Sequence, residues 1–163
     1  MSDQESAVLL EGQAPYAQRA LEMVSGARQD LSLLTQALEP RTWCTEAFVD
    51  AVRSFVLQHE RTRFRILVTN ARQAISGGSR LVELGRALSS FIEFRELQPE
   101  RRLGVVEEYL IADGRLLLHR ETPSDLQSRF YGSQPRSARL KLREFDLLWN
   151  ESTTAQELRD LKL

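Results

Sequence analysis

Residues 104 to 120, GVVEEYLIADGRLLLHR, read as two apolar strands joined by Asp113-Gly114. Asp-Gly between two such runs is a strong hairpin signal, because both central positions of a two-residue turn need a positive φ. A hairpin makes an antiparallel pair, so any sheet containing these residues has an antiparallel part. The chain before it follows another pattern. APYAQRALEMVSGARQ places Ala17, Leu21 and Val24 on one helical face, starting near Pro15 and ending at Gly26. DLSLLTQAL gives a strand from Leu31 to Gln36, broken by Glu39-Pro40-Arg41. In CTEAFVDAVRSFVLQHE, Thr45 is the N-cap and Phe48, Val52, Phe55 and Val56 form the buried face. RTRFRILVTN reads as a central strand, Gly77-Gly78 as a loop, Ser79 as the cap of a short helix carrying Leu81, Leu84 and Leu88, and FIEFREL as a third strand.

Strands alternating with helices imply βαβ units with right-handed crossovers. The expected fold class is α/β: a mixed, mostly parallel sheet flanked by helices on both faces, with a C-terminal hairpin and a closing helix. That helix is RSARLKLREFDLLWNE, burying Leu142, Phe145, Leu148 and Trp149. Residues 122–136, with Pro123, Gly132 and Pro135, read as an irregular excursion, and STTAQELRDLKL as a short helical turn. Residues 1–14 are expected to be a flexible N-terminus and residues 15–163 a single domain.

Composition narrows the function. Lys and Arg total 22 against 23 Asp and Glu, so the net charge of -1 gives no global attraction to nucleic acid or anionic membranes. Cys44 is the only cysteine, which rules out an internal disulfide and a cysteine-based zinc cage. His59 and His119, the only histidines, fall in different elements, so no metal or other cofactor is expected. No segment has the roughly 18 to 20 apolar residues that span a bilayer, and the N-terminus lacks a basic signal region, so the expected location is cytoplasmic.

Glu107 and Glu108 stand in an otherwise apolar strand. A two-residue turn would set Ala112 against Arg115, hence Glu108 against His119 and Glu107 against Arg120. The simplest reading is a pair of cross-strand ion pairs on a solvent-exposed hairpin, each contributing about 0.2 to 1 kcal/mol. The chemical alternative is a hydrolase or transferase in which Glu108 and His119 form an acid/base pair, with Glu107 and Asp113 nearby.

The order helix, strand, helix, strand, helix, strand, then a hairpin turning on Asp-Gly and a helix ending FDLLW, resembles one half of a phospholipase D-like domain from roughly Pro15 to Asn150. That family carries HxKxxxxD on the first hairpin strand: the His is the nucleophile, the Lys binds phosphate and the Asp supports the site. With Asp113 at the family Asp, the His position is Val106 and the Lys position is Glu108. A valine cannot form a phosphohistidine, and a carboxylate repels phosphate. The return strand departs too, continuing as HRETPSD in place of Gly-Ser-x-Asn. The resemblance therefore implies a noncatalytic scaffold, a binding or protein-interaction module. Active relatives set two halves face to face, which implies a homodimer or another protein as partner. RFRILVTN, RLVELGRAL and FDLLWNES also resemble a bacterial domain that accompanies GNAT-type acetyltransferase domains, and this implies an acetyltransferase as a possible partner.

Other polar residues suggest ligand binding. Arg80 follows Gly77-Gly78 at a helix start, a candidate anion cradle, although ISGGSR matches neither GxGxxG nor GxxxxGK[ST]. Arg63 and Arg65 share a strand face with Arg61 nearby, and Arg136, Arg139, Lys141 and Arg143 form a second basic set. Glu60 and Glu144 dilute both, which favours solvated charge over a nucleic-acid groove. Cys44 reads as inert, His59 as a cation at a helix C-terminus, and Trp43, Phe48, Phe55 and Trp149 as core.

Overall fold

Leu31 and Leu33 alternate with Ser32 and Leu34, and all four are buried, the mark of a strand covered on both faces. The computed structural model describes residues 6–76, 80–122, 124–133 and 135–159. The chain runs β1 (Val8–Glu11), α1 (Gln13–Gly26), β2 (Asp30–Thr35), α2 (Pro40–Trp43), α3 (Glu46–Leu57), β3 (Arg63–Val68), α4 (Ala71–Ser76), α5 (Arg80–Ala87) and β4 (Ile92–Glu96). It continues through α6 (Pro99–Arg102), β5 (Glu108–Ala112), β6 (Leu116–Arg120), β7 (Gln127–Tyr131), α7 (Arg136–Asn150), β8 (Thr153–Thr154) and α8 (Gln156–Arg159).

The strands form one eight-stranded sheet in the order β1-β7-β6-β5-β2-β3-β4-β8. It is mixed, as expected, but its parallel part is confined to β2–β3 and β3–β4, while every other neighbouring pair is antiparallel. At one edge β8 adds an antiparallel pair with β4, and the hairpin joins the sheet beside β2 rather than at an edge and recruits two further antiparallel strands. One is β7, inside the stretch read as irregular, which pairs with β6. The other is β1, which pairs with β7 at Val8–Glu11, within residues expected to be flexible. The Gly77-Gly78 loop and the Ser79 cap lie outside the described residues.

Helices cover both faces. On one, Leu31, Leu33, Phe64, Ile66, Leu110 and Leu118 pack with Tyr16, Ala20 and Val24 of α1 and with Phe48, Val52 and Phe55 of α3. On the other, Leu34, Leu67, Tyr109, Ile111 and Leu117 pack against Ala138, Phe145 and Trp149 of α7. Thr45 caps α3 as its position predicts, accepting from Phe48 N at 3.1 Å. Among the described residues no helix is long and apolar enough to cross a membrane.

Candidate functional site

Successive residues of a strand point to opposite faces, and this separates the two glutamates. The turn occupies Asp113, Gly114 and Arg115 rather than two residues, with positive φ at Asp113 and Gly114. Ala112 therefore pairs with Leu116, and the whole register moves by one: Glu108 faces Arg120, and Tyr109 faces His119. This corrects the expected pairing of Glu108 with His119 and of Glu107 with Arg120. It also removes the Glu108–His119 acid/base pair.

Glu108 is not part of an exposed hairpin. Its residue is 3% exposed, at the end of β5 that adjoins the C-terminal end of β2. Oε1 accepts from Tyr16 Oη at 2.8 Å and from Arg120 Nη2 at 2.7 Å. Oε2 accepts from Thr35 Oγ1 at 2.6 Å and from Trp43 Nε1 at 3.1 Å. A carboxylate offers about four acceptor sites, so these four donors saturate it. Arg120 lies over the Tyr16 ring with Cζ 4.4 Å from its centre, and Trp43 meets Tyr16 edge-on at 6.0 Å. Burial, followed by the charge of Glu108, raises the pKa of the Tyr16 phenol well above its ordinary value, which keeps it a donor.

Glu108 and Arg120 form the floor of a cleft of about 390 Å³. Gln13, Gln36, Gln73 and Ser76 line its sides, and Glu39 pairs with Arg41 at 2.9 Å on its rim. The charged side chains of the cleft are paired. It holds no histidine among the described residues. With its four acceptor positions occupied, Glu108 is held as a structural carboxylate, and the hydroxyl and amide groups of the cleft can position a ligand by hydrogen bonding.

Glu107 faces α7. His119 Nε2 lies 2.8 Å from Glu107 Oε2, and Lys141 Nζ reaches both Glu107 oxygens at 3.3 Å and Glu144 at 2.9 Å. The hydrogen bond from His119 holds the Glu107 carboxyl below its ordinary pKa, with burial opposing and Lys141 reinforcing. Burial pulls the Lys141 ammonium down, but hydrogen bonding to Glu144 and the charges of Glu107 and Glu144 outweigh it and raise its pKa. Each glutamate thus meets a cationic or protonatable partner, on opposite sides of the sheet.

Asp113 sits at the far end of β5, roughly 17 Å from Glu108 at the usual rise per strand residue. Its carboxylate accepts from the backbone amides of Arg28, Gln29 and Asp30 at 2.7 to 3.2 Å, fastening the hairpin to the α1–β2 junction. Val106 precedes β5 and is 59% exposed. Arg63 and Arg65 line one cleft, whereas Arg80 lies on α5 beside Glu46 at 3.9 Å and lines another, so the three are not brought together. Cys44 is half-buried with Sγ 3.6 Å from the Leu38 carbonyl, and Trp43, Phe48, Phe55 and Trp149 are core, as read. His59 Nδ1 accepts from Arg61 N at 3.0 Å, just beyond the C-terminal end of α3. Among the described residues no group of acidic, His or Cys side chains could hold a metal ion.

Similarities to known proteins agree with this architecture. A phospholipase D family member, Nuc from Salmonella typhimurium, superposes with a TM-score of 0.62 at 13% identity, covering 91% of this chain and 98% of its own. NucT from Helicobacter pylori gives 0.60 at 11%, covering 93% and 99%. TrmBL2, an archaeal chromatin protein whose structure shows a novel mode of DNA binding, gives 0.66 at 15%. The match covers 95% of this chain but only 56% of TrmBL2, so this chain spans little more than half of that protein. These likenesses show the fold, an α/β phospholipase D-like half with an eight-stranded mixed sheet. No curated protein matches the chain in sequence. Residues 12–161 match the model of a domain of unknown function, DUF7931, and the chain belongs to that family.

Proposed function

We propose that this chain is a noncatalytic phospholipase D-like domain that works by binding rather than by phosphoryl transfer. One observation carries the reading: at the register position of the family's phosphate-binding lysine stands Glu108, its carboxylate saturated by Tyr16, Thr35, Trp43 and Arg120. The only histidine near the hairpin, His119, faces α7 and is held by Glu107. Among the described residues no histidine lines the Glu108 cleft, and its arginines, Arg41 and Arg120, are each paired with a glutamate. The test is hydrolysis of bis(p-nitrophenyl) phosphate and of phosphatidylcholine vesicles by the untagged protein. No turnover above buffer is expected. Turnover that disappears in His119→Ala would overturn the reading.

Pairing with a second copy is the partner reading that the sheet edge favours. β1 ends the sheet, and its Val8 and Leu9 are 50% and 56% exposed, so an antiparallel β1–β1 contact would extend the sheet symmetrically. Native mass spectrometry at micromolar concentration should give a dimer that Leu9→Lys dissociates. A monomer throughout that range would remove this reading and leave the first intact.

A further inference from the structure

The end of the sheet opposite Glu108 carries a second cleft, of about 740 Å³, where the α1–β2 and α3–β3 junctions meet. Four arginines line it, Arg28, Arg61, Arg63 and Arg65, against a single carboxylate, Asp30. Glu60, the acidic neighbour in sequence, is not among the lining residues. The four arginines are not equivalent. Arg65 is committed elsewhere, paired with Asp146 at 2.9 Å and stacked on Phe145. Arg63 is anchored, one guanidinium nitrogen donating to the Glu60 and Thr62 carbonyls at 2.9 and 2.7 Å, which leaves its other N–H groups free. Arg28 and Arg61 are exposed, and among the described residues their guanidinium groups have no ion-pair or hydrogen-bond partner.

His59 adds a donor. Because its Nδ1 accepts from Arg61 N, the neutral ring carries its proton on Nε2. The cleft therefore presents two uncommitted guanidinium groups, the remaining N–H groups of Arg63 and an imidazole N–H around one concavity, with Leu142 supplying an apolar surface. Guanidinium forks match phosphate oxygens bidentately, so arginines contributed by two junctions along one cleft suit a ligand that carries more than one phosphate. The volume lies within the roughly 300 to 1,000 Å³ typical of small-ligand sites.

We propose that this cleft, walled by Arg28, His59, Arg61 and Arg63, binds adjacent phosphate groups, supplied either by a free nucleoside polyphosphate or by the backbone of a nucleic acid strand. The site is independent of the Glu108 cleft. Failure here leaves the noncatalytic reading standing, and turnover at the hairpin leaves this site standing.

The test is fluorescence anisotropy with a labelled 12-nucleotide single strand, and calorimetry with ATP, each at 50 and 200 mM salt. The Arg28→Ala/Arg61→Ala double variant is compared with wild type, and Arg53→Ala, an exposed arginine of α3 outside this cleft, is the control. Both changed side chains are exposed, and an unaltered urea midpoint checks that the double variant is folded. Binding that weakens at least tenfold in the double variant, is unchanged in Arg53→Ala and falls steeply with salt is the expected result. Tight binding of the strand with weak binding of ATP identifies a phosphodiester chain as the source, and the reverse identifies a free nucleotide. Absence of binding to both at 50 mM salt, equal binding by the double variant, or equal competition by polyglutamate overturns the proposal.

Discussion

Glu108 Oε1 and Arg120 Nη2 lie 2.7 Å apart inside the protein, with side chains 4% and 10% exposed, on facing strands of the hairpin. A buried pair is stable only where the remaining donors and acceptors are met. Tyr16, Thr35 and Trp43 meet those of the carboxylate. Its hydrogen bonds draw together β5, β6, β2, α1 and α2, so these residues tie the cleft walls to one another. On the arginine side, Nε has no hydrogen-bond partner among the described residues.

Removing one member of this pair should be far worse than removing both. Glu108→Gln leaves the Arg120 guanidinium buried without its anion, a change expected to destabilise by about 3 to 5 kcal/mol. Glu108→Leu combined with Arg120→Met should lose less than either single change, because no charge stays unpaired. Glu108→Lys sets two cations together and should yield little folded protein. Urea denaturation of Glu108→Gln, Glu108→Leu, Arg120→Met, the Glu108→Leu/Arg120→Met double variant and Glu108→Lys checks this. A Glu108→Gln midpoint equal to wild type would mean that the pair is open to water.

Asp113 should behave as a structural residue. Three backbone amides converge on its carboxylate and its φ is 55°, so Asn is the mildest replacement: it keeps an acceptor and tolerates the left-handed region. Asp113→Ala loses the acceptor and is strained as well, with an expected loss of about 1 to 3 kcal/mol and Asp113→Asn well below that. Chemical denaturation ranks the two. An equal loss in both would show that charge rather than turn geometry sets the contribution.

The hairpin and most helices were legible because their signals are local. Asp113-Gly114 marks a positive-φ turn, Thr45 marks a cap, and the spacing of Phe48, Val52 and Phe55 marks a buried face. Register was not legible. Arg115 N still bonds the Ala112 carbonyl at 3.0 Å, as in a two-residue turn, yet strand pairing resumes only at Leu116, and that single residue exchanges the partners of Glu107 and Glu108. The buried donors were invisible for another reason: Tyr16, Thr35 and Trp43 lie 92, 73 and 65 positions from Glu108, and no local pattern announces a contact of that range. β7 was missed because Leu126 is exposed and the strand is held by its neighbours β6 and β1 rather than by its own periodicity.

Arg65 should not tolerate lysine. Its guanidinium lies 4.8 Å from the Phe145 ring centre and 5.5 Å from that of Trp149 while pairing with Asp146, a geometry that needs a planar group. Arg65→Lys keeps the charge but loses the stacking, with an expected loss of about 0.5 to 1 kcal/mol. A urea midpoint that does not move in Arg65→Lys but falls in Arg65→Met would assign the contribution to charge instead.

Glu107 sets the acid limit of the opposite face. Its folded pKa lies below the unfolded value of about 4.3, so the folded state favours the ionised form. The stability it contributes is fully present above that unfolded value and is lost as the pH falls through the lower, folded one. In Glu107→Gln nothing titrates at this position. The stability gap between wild type and Glu107→Gln should be constant near neutrality, then narrow as the pH drops from about 5 toward 2. His119→Gln removes the leading cause of the lowered value, so in that background the gap should be smaller and should narrow over a shorter pH interval. Urea midpoints at several pH values give both curves. A gap that widens on acidification would reverse the sign of the linkage and show that Glu107 is bound more tightly when protonated.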